Sequence, residues 1–217
     1  MIKIAPSILS ADFADMGREI ENLEKSYADF IHCDVMDGVF VPNITFGMPM
    51  IKAVRRFSAL PFDVHLMIER PEKYVGAFID AGADFITFHE AATDKTGEIL
   101  ELIGARGKKC GIALNPDIPL DGVEKYIEKL DMILIMSVFA GFGGQKFIPD
   151  SLKKIEAAAA LKNKYNKNLL IEVDGGVTLD NIRDIENAGA DIAVAGSSVF
   201  GAPDKAERIR LLKGERQ

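Results

Sequence analysis

Short apolar runs alternate along the chain with longer segments in which apolar positions recur every three or four residues. The first pattern predicts strands at residues 2–9, 30–36, 62–68, 85–88, 110–114, 132–138, 169–173 and 192–195. The second predicts helices at 12–24, 48–56, 72–80, 96–104, 120–127, 151–162, 179–187 and 204–212, with the alanine-rich run 151–162 the strongest of them. Asp12 is placed to cap the first helix and Pro71 to open the first turn of the third, while Gly82 and Gly189 stand where helices should stop.

Eight strand-then-helix units of about 27 residues each predict an α/β fold, the (β/α)8 or TIM barrel, as one domain over residues 1–217. Several strands are apolar without alternation, as expected where both faces of a parallel sheet are covered. An open doubly wound sheet is the alternative. It would place a Gly-x-Gly-x-x-Gly turn after the first strand, and Ser7-Ile8-Leu9-Ser10-Ala11-Asp12 stands there instead. In a barrel, function belongs where strands end and helices begin.

Composition sharpens this only in part. An apolar content of 48% supports a well-buried core, and the nineteen glycines and nine prolines fall at the ends of apolar runs, as short loops require. The net charge of −7 and pI near 5.1 argue against nucleic acid or an anionic membrane as partner, leaving a small anionic ligand gripped by local donors. No apolar run approaches spanning length, and Met1-Ile2-Lys3-Ile4-Ala5-Pro6 lacks the order of a signal peptide, so a cytoplasmic protein is expected. Cys33 and Cys110 are far apart, and Cys33 is out of phase with its polar neighbours; both are expected to be buried for structure.

The chemistry starts at Ile31-His32-Cys33-Asp34-Val35-Met36-Asp37-Gly38, where alternation puts His32, Asp34 and Met36 on one face of a strand. Asp63-Val64-His65-Leu66-Met67 again puts an acid, an imidazole and a thioether in one phase, and Asp174 ends the seventh strand in phase to face the mouth. The only three histidines, His32, His65 and His89, are all expected at the C-terminal ends of strands. Buried imidazoles and carboxylates are costly unless compensated, and a divalent cation would compensate them. His32, Asp34, His65 and Asp174 make a nitrogen and oxygen shell suited to one Zn²⁺, with Fe²⁺, Mn²⁺ or Co²⁺ acceptable; a polar mouth without metal is the alternative. Met36, Met67 and Met136 are core residues or a dry wall around that site. Glycines cluster after three consecutive strands, as Gly141-Phe142-Gly143-Gly144, Gly175-Gly176 and Gly196-Ser197. With a helix starting near Ser197, they suit a phosphorylated small molecule.

These motifs, with Ala5-Pro6-Ser7-Ile8-Leu9-Ser10-Ala11-Asp12-Phe13, Phe40-Val41-Pro42-Asn43 and Val173-Asp174-Gly175-Gly176, make the chain resemble ribulose-phosphate 3-epimerases over nearly its whole length. The resemblance implies a barrel of the ribulose-phosphate-binding type, a homo-oligomer, and metal-dependent interconversion of D-ribulose 5-phosphate and D-xylulose 5-phosphate in the pentose phosphate pathway. It carries the metal ligands onto His32, Asp34, His65 and Asp174, with Asp34 as proton acceptor and Asp174 as donor in one direction. Substrate contacts carry onto Ser7, His65, the Gly141 to Gly144 loop, Asp174 to Gly176, Gly196 and Ser197; His89 is left to line the mouth or back a ligand.

One departure stands near the site: Phe139-Ala140 precedes Gly141 where a polar residue and proline are usual, which frees the backbone and adds a bulky ring. The motifs suit a D-allulose 6-phosphate 3-epimerase equally, and the glycine loops alone would suit a metal-free lyase or a non-catalytic sugar-phosphate sensor. Two acids on roughly opposite strands favour the epimerase, because inversion of C3 through a metal-stabilised enediolate needs a proton removed from one face and returned to the other.

Overall fold

Strand parity decides which side chains meet inside the molecule. The computed structural model describes residues 1–215, and its eight strands are β1 (Lys3–Ala5), β2 (Ile31–Met36), β3 (Phe62–Met67), β4 (Phe85–His89), β5 (Lys109–Leu114), β6 (Met132–Met136), β7 (Leu170–Asp174) and β8 (Ile192–Val194). All pair in parallel in the order β1-β8-β7-β6-β5-β4-β3-β2. Between β1 and β2 the ladder thins to a bridge at Ser7 and His32, supported by the Asp29 N–H on the Ile4 carbonyl at 3.0 Å and the His32 N–H on the Pro6 carbonyl at 3.1 Å. The sheet so nearly closes into the expected (β/α)8 barrel.

Around it run α1 (Met16–Glu24), α2 (Met48–Val54), α3 (Val75–Ala81), α4 (Thr96–Ala105), α5 (Asp121–Glu124), α6 (Ser151–Tyr165), α7 (Ile182–Asn187), α8 (Ser197–Phe200) and α9 (Lys205–Lys213). Outward strand positions such as Ile31, Cys33, Val35, Ile133 and Ile135 pack against helix positions such as Ile20, Leu23, Ile155 and Leu212. Each such fully buried aliphatic side chain contributes about 1.5–3 kcal/mol. Inside the barrel a separate apolar plug joins Ala5, Phe30, Met132, Ile192 and Val194, with Phe30 and Phe85 edge to face at 5.5 Å. Cys33 and Cys110 are both buried and free. None of the described helices is long and apolar enough to cross a membrane.

The first strand is much shorter than the predicted 2–9. Pro6 offers no N–H to a ladder, and Ile8–Ser10 turns into a single 3-10 turn capped by the Ser7 side chain. The predicted helix 12–24 is likewise two pieces, a 3-10 turn Phe13–Asp15 capped by Asp12 and then α1. The helix predicted at 120–127 shrinks to the four residues of α5 followed by a 3-10 turn Ile127–Lys129, and that predicted at 72–80 divides into a 3-10 turn Pro71–Lys73 and α3. Gly82 ends α3 at φ +113°, as its place in the sequence suggested.

A recurring clamp at the N-terminal end holds the strands in register. Asp29, Asp84, Asp131 and Asp191 precede the even strands, and each grips one residue of the odd strand before it. The backbone N–H of each aspartate donates to the carbonyl of Ile4, Phe62, Cys110 or Ile171 at 2.8–3.0 Å, and its carboxylate accepts the N–H of that same residue at 2.8–3.1 Å. Lys213, Lys108, Lys109 and Lys162 neutralise the four carboxylates at 2.7–2.9 Å. A clamp of this kind stabilises by satisfying a strand N–H and carbonyl with one charged residue. Asp191→Ala is expected to lower unfolding free energy by about 1–3 kcal/mol, the cost of an unmet backbone donor and a lost ion pair, measured as a shift in the urea midpoint with unchanged slope.

Candidate active site

The register of β2 on β3 places an imidazole beside a carboxylate at two successive levels. His32 pairs with Asp63, Asp34 with His65 and Met36 with Met67. His32 is the second residue of its strand rather than near its end, a correction to the expectation that all three histidines crown their strands. It lies one level below Asp34 and reaches upward, with Nε2 3.2 Å from Asp34 Oδ1. His65 Nδ1 approaches the same oxygen at 3.1 Å and stands 4.0 Å from Asp174 Oδ2. Ser7 donates its hydroxyl hydrogen to the other Asp34 oxygen at 2.5 Å.

One ligand atom from each of His32, Asp34, His65 and Asp174 lies within 4.8 Å of the other three. That spread is compatible with four ligands at about 2.0–2.2 Å from one ion. Two ring nitrogens and two carboxylates, all but Asp174 wholly or almost wholly buried, therefore fit the donor set of a divalent cation. A second group, His32, Asp63 and Glu172, meets the same distance limit but is sealed from solvent.

Asp63 and Glu172 were given no role by sequence reasoning, although parity pointed to both, each two residues before an inward-facing site residue. Asp63 Oδ2 is 2.6 Å from His32 Nδ1. Glu172 Oε1 lies 3.8 Å from the same nitrogen, and both Glu172 oxygens and Asp63 Oδ1 lack hydrogen-bond partners. His89 is buried, not at the mouth: its Nε2 is 2.9 Å from His65 Nε2, and its ring packs 4.9 Å from that of Phe40.

This crowding sets the proton affinities apart. Burial opposes charge on Asp34, but the His32 and His65 rings beside it outweigh burial and hold the carboxyl below its usual range. Loss of water, then the nearby charge of Asp34, pushes Asp174 up to about 7. Burial works against a charged His32, yet Asp34 and Asp63 raise its proton affinity well above the ordinary imidazole value. Burial lowers both His65 and His89. Glu172 is raised well above the carboxylate range by burial and by Asp63.

Above this floor opens a cavity lined by Ser7, Asp34, Asp174, the loop Gly141 to Gly144, Gly175, Gly176, Gly196 and Ser197, with Met36, Met67 and Met136 on its walls. His32 and His65 sit behind the acids with no exposed surface. The loop after β6 is pinned from three directions: Asn43 Nδ2 donates to the Gly141 carbonyl at 2.8 Å, the Ala140 N–H to Asn115 Oδ1 at 3.3 Å, and Gln145 Nε2 to the Phe139 and Phe142 carbonyls. Side chains thus restrain the backbone at Phe139-Ala140, while the Phe139 ring is half exposed. Gly176 has φ +63°, and a Cβ there would stand 2.3 Å from the Phe147 nitrogen. Only glycine lets these two loops meet.

Known proteins resemble this chain over nearly its whole length. The model of the ribulose-phosphate 3 epimerase family matches residues 3–200. The chain is 48% identical to a ribulose-phosphate 3-epimerase of Bacillus subtilis over the whole of both chains, and 47% identical to one of Synechocystis over its full length and 95% of the relative. Among solved structures it resembles KGPDC from Streptococcus mutans, with TM-score 0.74 and 13% identity, covering 98% of this chain and 96% of that one; that likeness bears on the barrel alone. By full-length identity and by family match, this chain belongs to the ribulose-phosphate 3-epimerase family.

Proposed function

We propose that the protein is a metal-dependent 3-epimerase that interconverts D-ribulose 5-phosphate and D-xylulose 5-phosphate. The observation that carries the reading is the approach of Asp34 and Asp174 to one centre from β2 and β7, strands separated by β1 and β8. Inversion at a carbon needs two proton-handling groups on opposite faces, and a single acid does not reach both.

His32, Asp34, His65 and Asp174 would hold the ion, with zinc the first choice for two nitrogens and two oxygens and iron, manganese or cobalt acceptable. When bound there, a divalent ion supplies Lewis acidity, easing loss of the proton next to the ketose carbonyl. Asp34, which as a ligand would be ionised, takes the C3 proton; Asp174 returns a proton to the other face, and the roles exchange in reverse. Ser7 fixes the Asp34 carboxylate through one oxygen and leaves the other for the centre. Met36, Met67 and Met136 keep water from the carbon bearing the transient charge. The glycine-lined loops bind the phosphate through backbone N–H groups, and that remote grip orients C3 between the acids. His65 serves as ligand in this scheme and meets substrate only at the shared centre. Val39 and Ile44, exposed on the loop after β2, supply apolar surface for a homo-oligomer.

Asp174→Asn is expected to lower turnover at least 100-fold while far-UV circular dichroism and the melting temperature hold; turnover near wild type would remove Asp174 from the reaction. Gly176→Ala, which forces a strained φ and a backbone collision, should raise KM for the phosphorylated ketose about tenfold or more. With both sugars assayed side by side, kcat/KM for D-ribulose 5-phosphate should exceed that for D-allulose 6-phosphate by at least tenfold. A reversed ratio would reassign the substrate to the six-carbon ketose.

A further inference from the structure

The two imidazoles aimed at the centre use different nitrogens. His32 turns Nε2 toward Asp34 and His65 turns Nδ1 toward Asp34 and Asp174. In a dry lumen the other nitrogen of each ring needs a partner of its own, and each has one of a different chemical kind. His32 Nδ1 faces Asp63 Oδ2 at 2.6 Å. A carboxylate oxygen facing a ring nitrogen at that distance accepts its hydrogen, so Nδ1 bears one. His65 Nε2 faces His89 Nε2 at 2.9 Å. Two nitrogens at that distance share a single hydrogen, one ring donating and the other accepting.

A nitrogen that ligates a cation must present its lone pair. Once His65 does so through Nδ1, the hydrogen between the two rings belongs to His65 Nε2, and His89 must accept through a bare Nε2. Resting on the metal-site reading above, the geometry points to Asp63 and His89 as a pair of positioning residues. They lock His32 and His65 in opposite tautomers, Nδ1–H for His32 and Nε2–H for His65, so that the nitrogen left bare on each ring faces the common centre. The lock is asymmetric: a carboxylate backs one ligand and a neutral imidazole the other. Both positioning residues come from strands next to their ligands, Asp63 directly across from His32 and His89 one strand beyond His65.

The chain's three histidines make the test compact. In the 15N-labelled, Zn²⁺-loaded protein, long-range 1H–15N spectra should show three imidazole systems: His32 as Nδ1–H, His65 as Nε2–H and His89 as Nδ1–H. Zn²⁺ titration against a competing chelator should show affinity lowered about 10- to 100-fold in Asp63→Asn and in His89→Leu. His89→Gln, whose amide oxygen can still accept from His65, should recover most of the loss. Stoichiometric Zn²⁺ with His32 and His65 in the same tautomer, or with unchanged affinity in both Asp63→Asn and His89→Leu, would overturn the lock while leaving the metal site standing. Failure of the wild-type protein to bind Zn²⁺ or any of the other three ions would remove the site and the lock together. The wild-type spectrum decides the tautomers even if a variant does not fold.

Discussion

The barrel lumen concentrates three imidazoles and four carboxyl groups where bulk water scarcely reaches, and the rest of the molecule is arranged around that cost. An isolated buried carboxylate or imidazolium is unfavourable by several kcal/mol. Here the groups offset one another in pairs set by strand register, His32 beside Asp63 and Asp34 beside His65. A slip of one residue between β2 and β3 would turn these side chains into the apolar layer beneath the helices and expel Val64 and Leu66 into the polar one. Chemistry and packing therefore depend on the same alignment.

The aspartate clamps at the opposite end of the barrel protect that alignment. Each joins an even strand to the odd strand before it by two bonds to one residue, so register is fixed in pairs of strands by the strands' own residues. The apolar plug of Phe30, Met132 and Ile192 separates the clamps from the polar cluster. Stability and reactivity thus occupy opposite ends, an arrangement in which loops at the mouth can vary without loosening the strands.

Much of this was legible in the sequence, because the two periodicities are local properties. Apolar runs and 3.6-residue stripes located all eight strands and their principal helices to within a few residues, and alternation alone put His32, Asp34 and Met36 on a common face. What escaped was non-local. Asp29, Asp84, Asp131 and Asp191 look like ordinary loop acids until their partners on other strands are known. The level of His32 within the lumen depends on the shear of β2 against β3, which no single segment encodes. Pro6 was the one local signal underused, since it ends β1 four residues before the apolar run does. Asp63 and Glu172 lay in phase with the site, yet without the register nothing showed that they share one imidazole.

The site divides its work by stiffness. The acids and rings stand on strands, where neighbours on both sides limit each side chain to small displacements, as transfer of a proton over less than an ångström demands. The surfaces suited to phosphate belong to loops whose positive-φ glycines, Gly141, Gly144, Gly175 and Gly176, bring backbone N–H groups close to an anion. Loops of that composition would drift on their own. Asn43, Asn115 and Gln145 restrain the one after β6, and the Ser137 hydroxyl, donating to the Gly175 carbonyl at 2.6 Å, fastens the turn after β7 to the end of β6. Under the proposed function, a phosphate held there would be held in a frame tied to the strands bearing Asp34 and Asp174. On that reading, binding energy gained at one end of a sugar would act as positional accuracy at its third carbon.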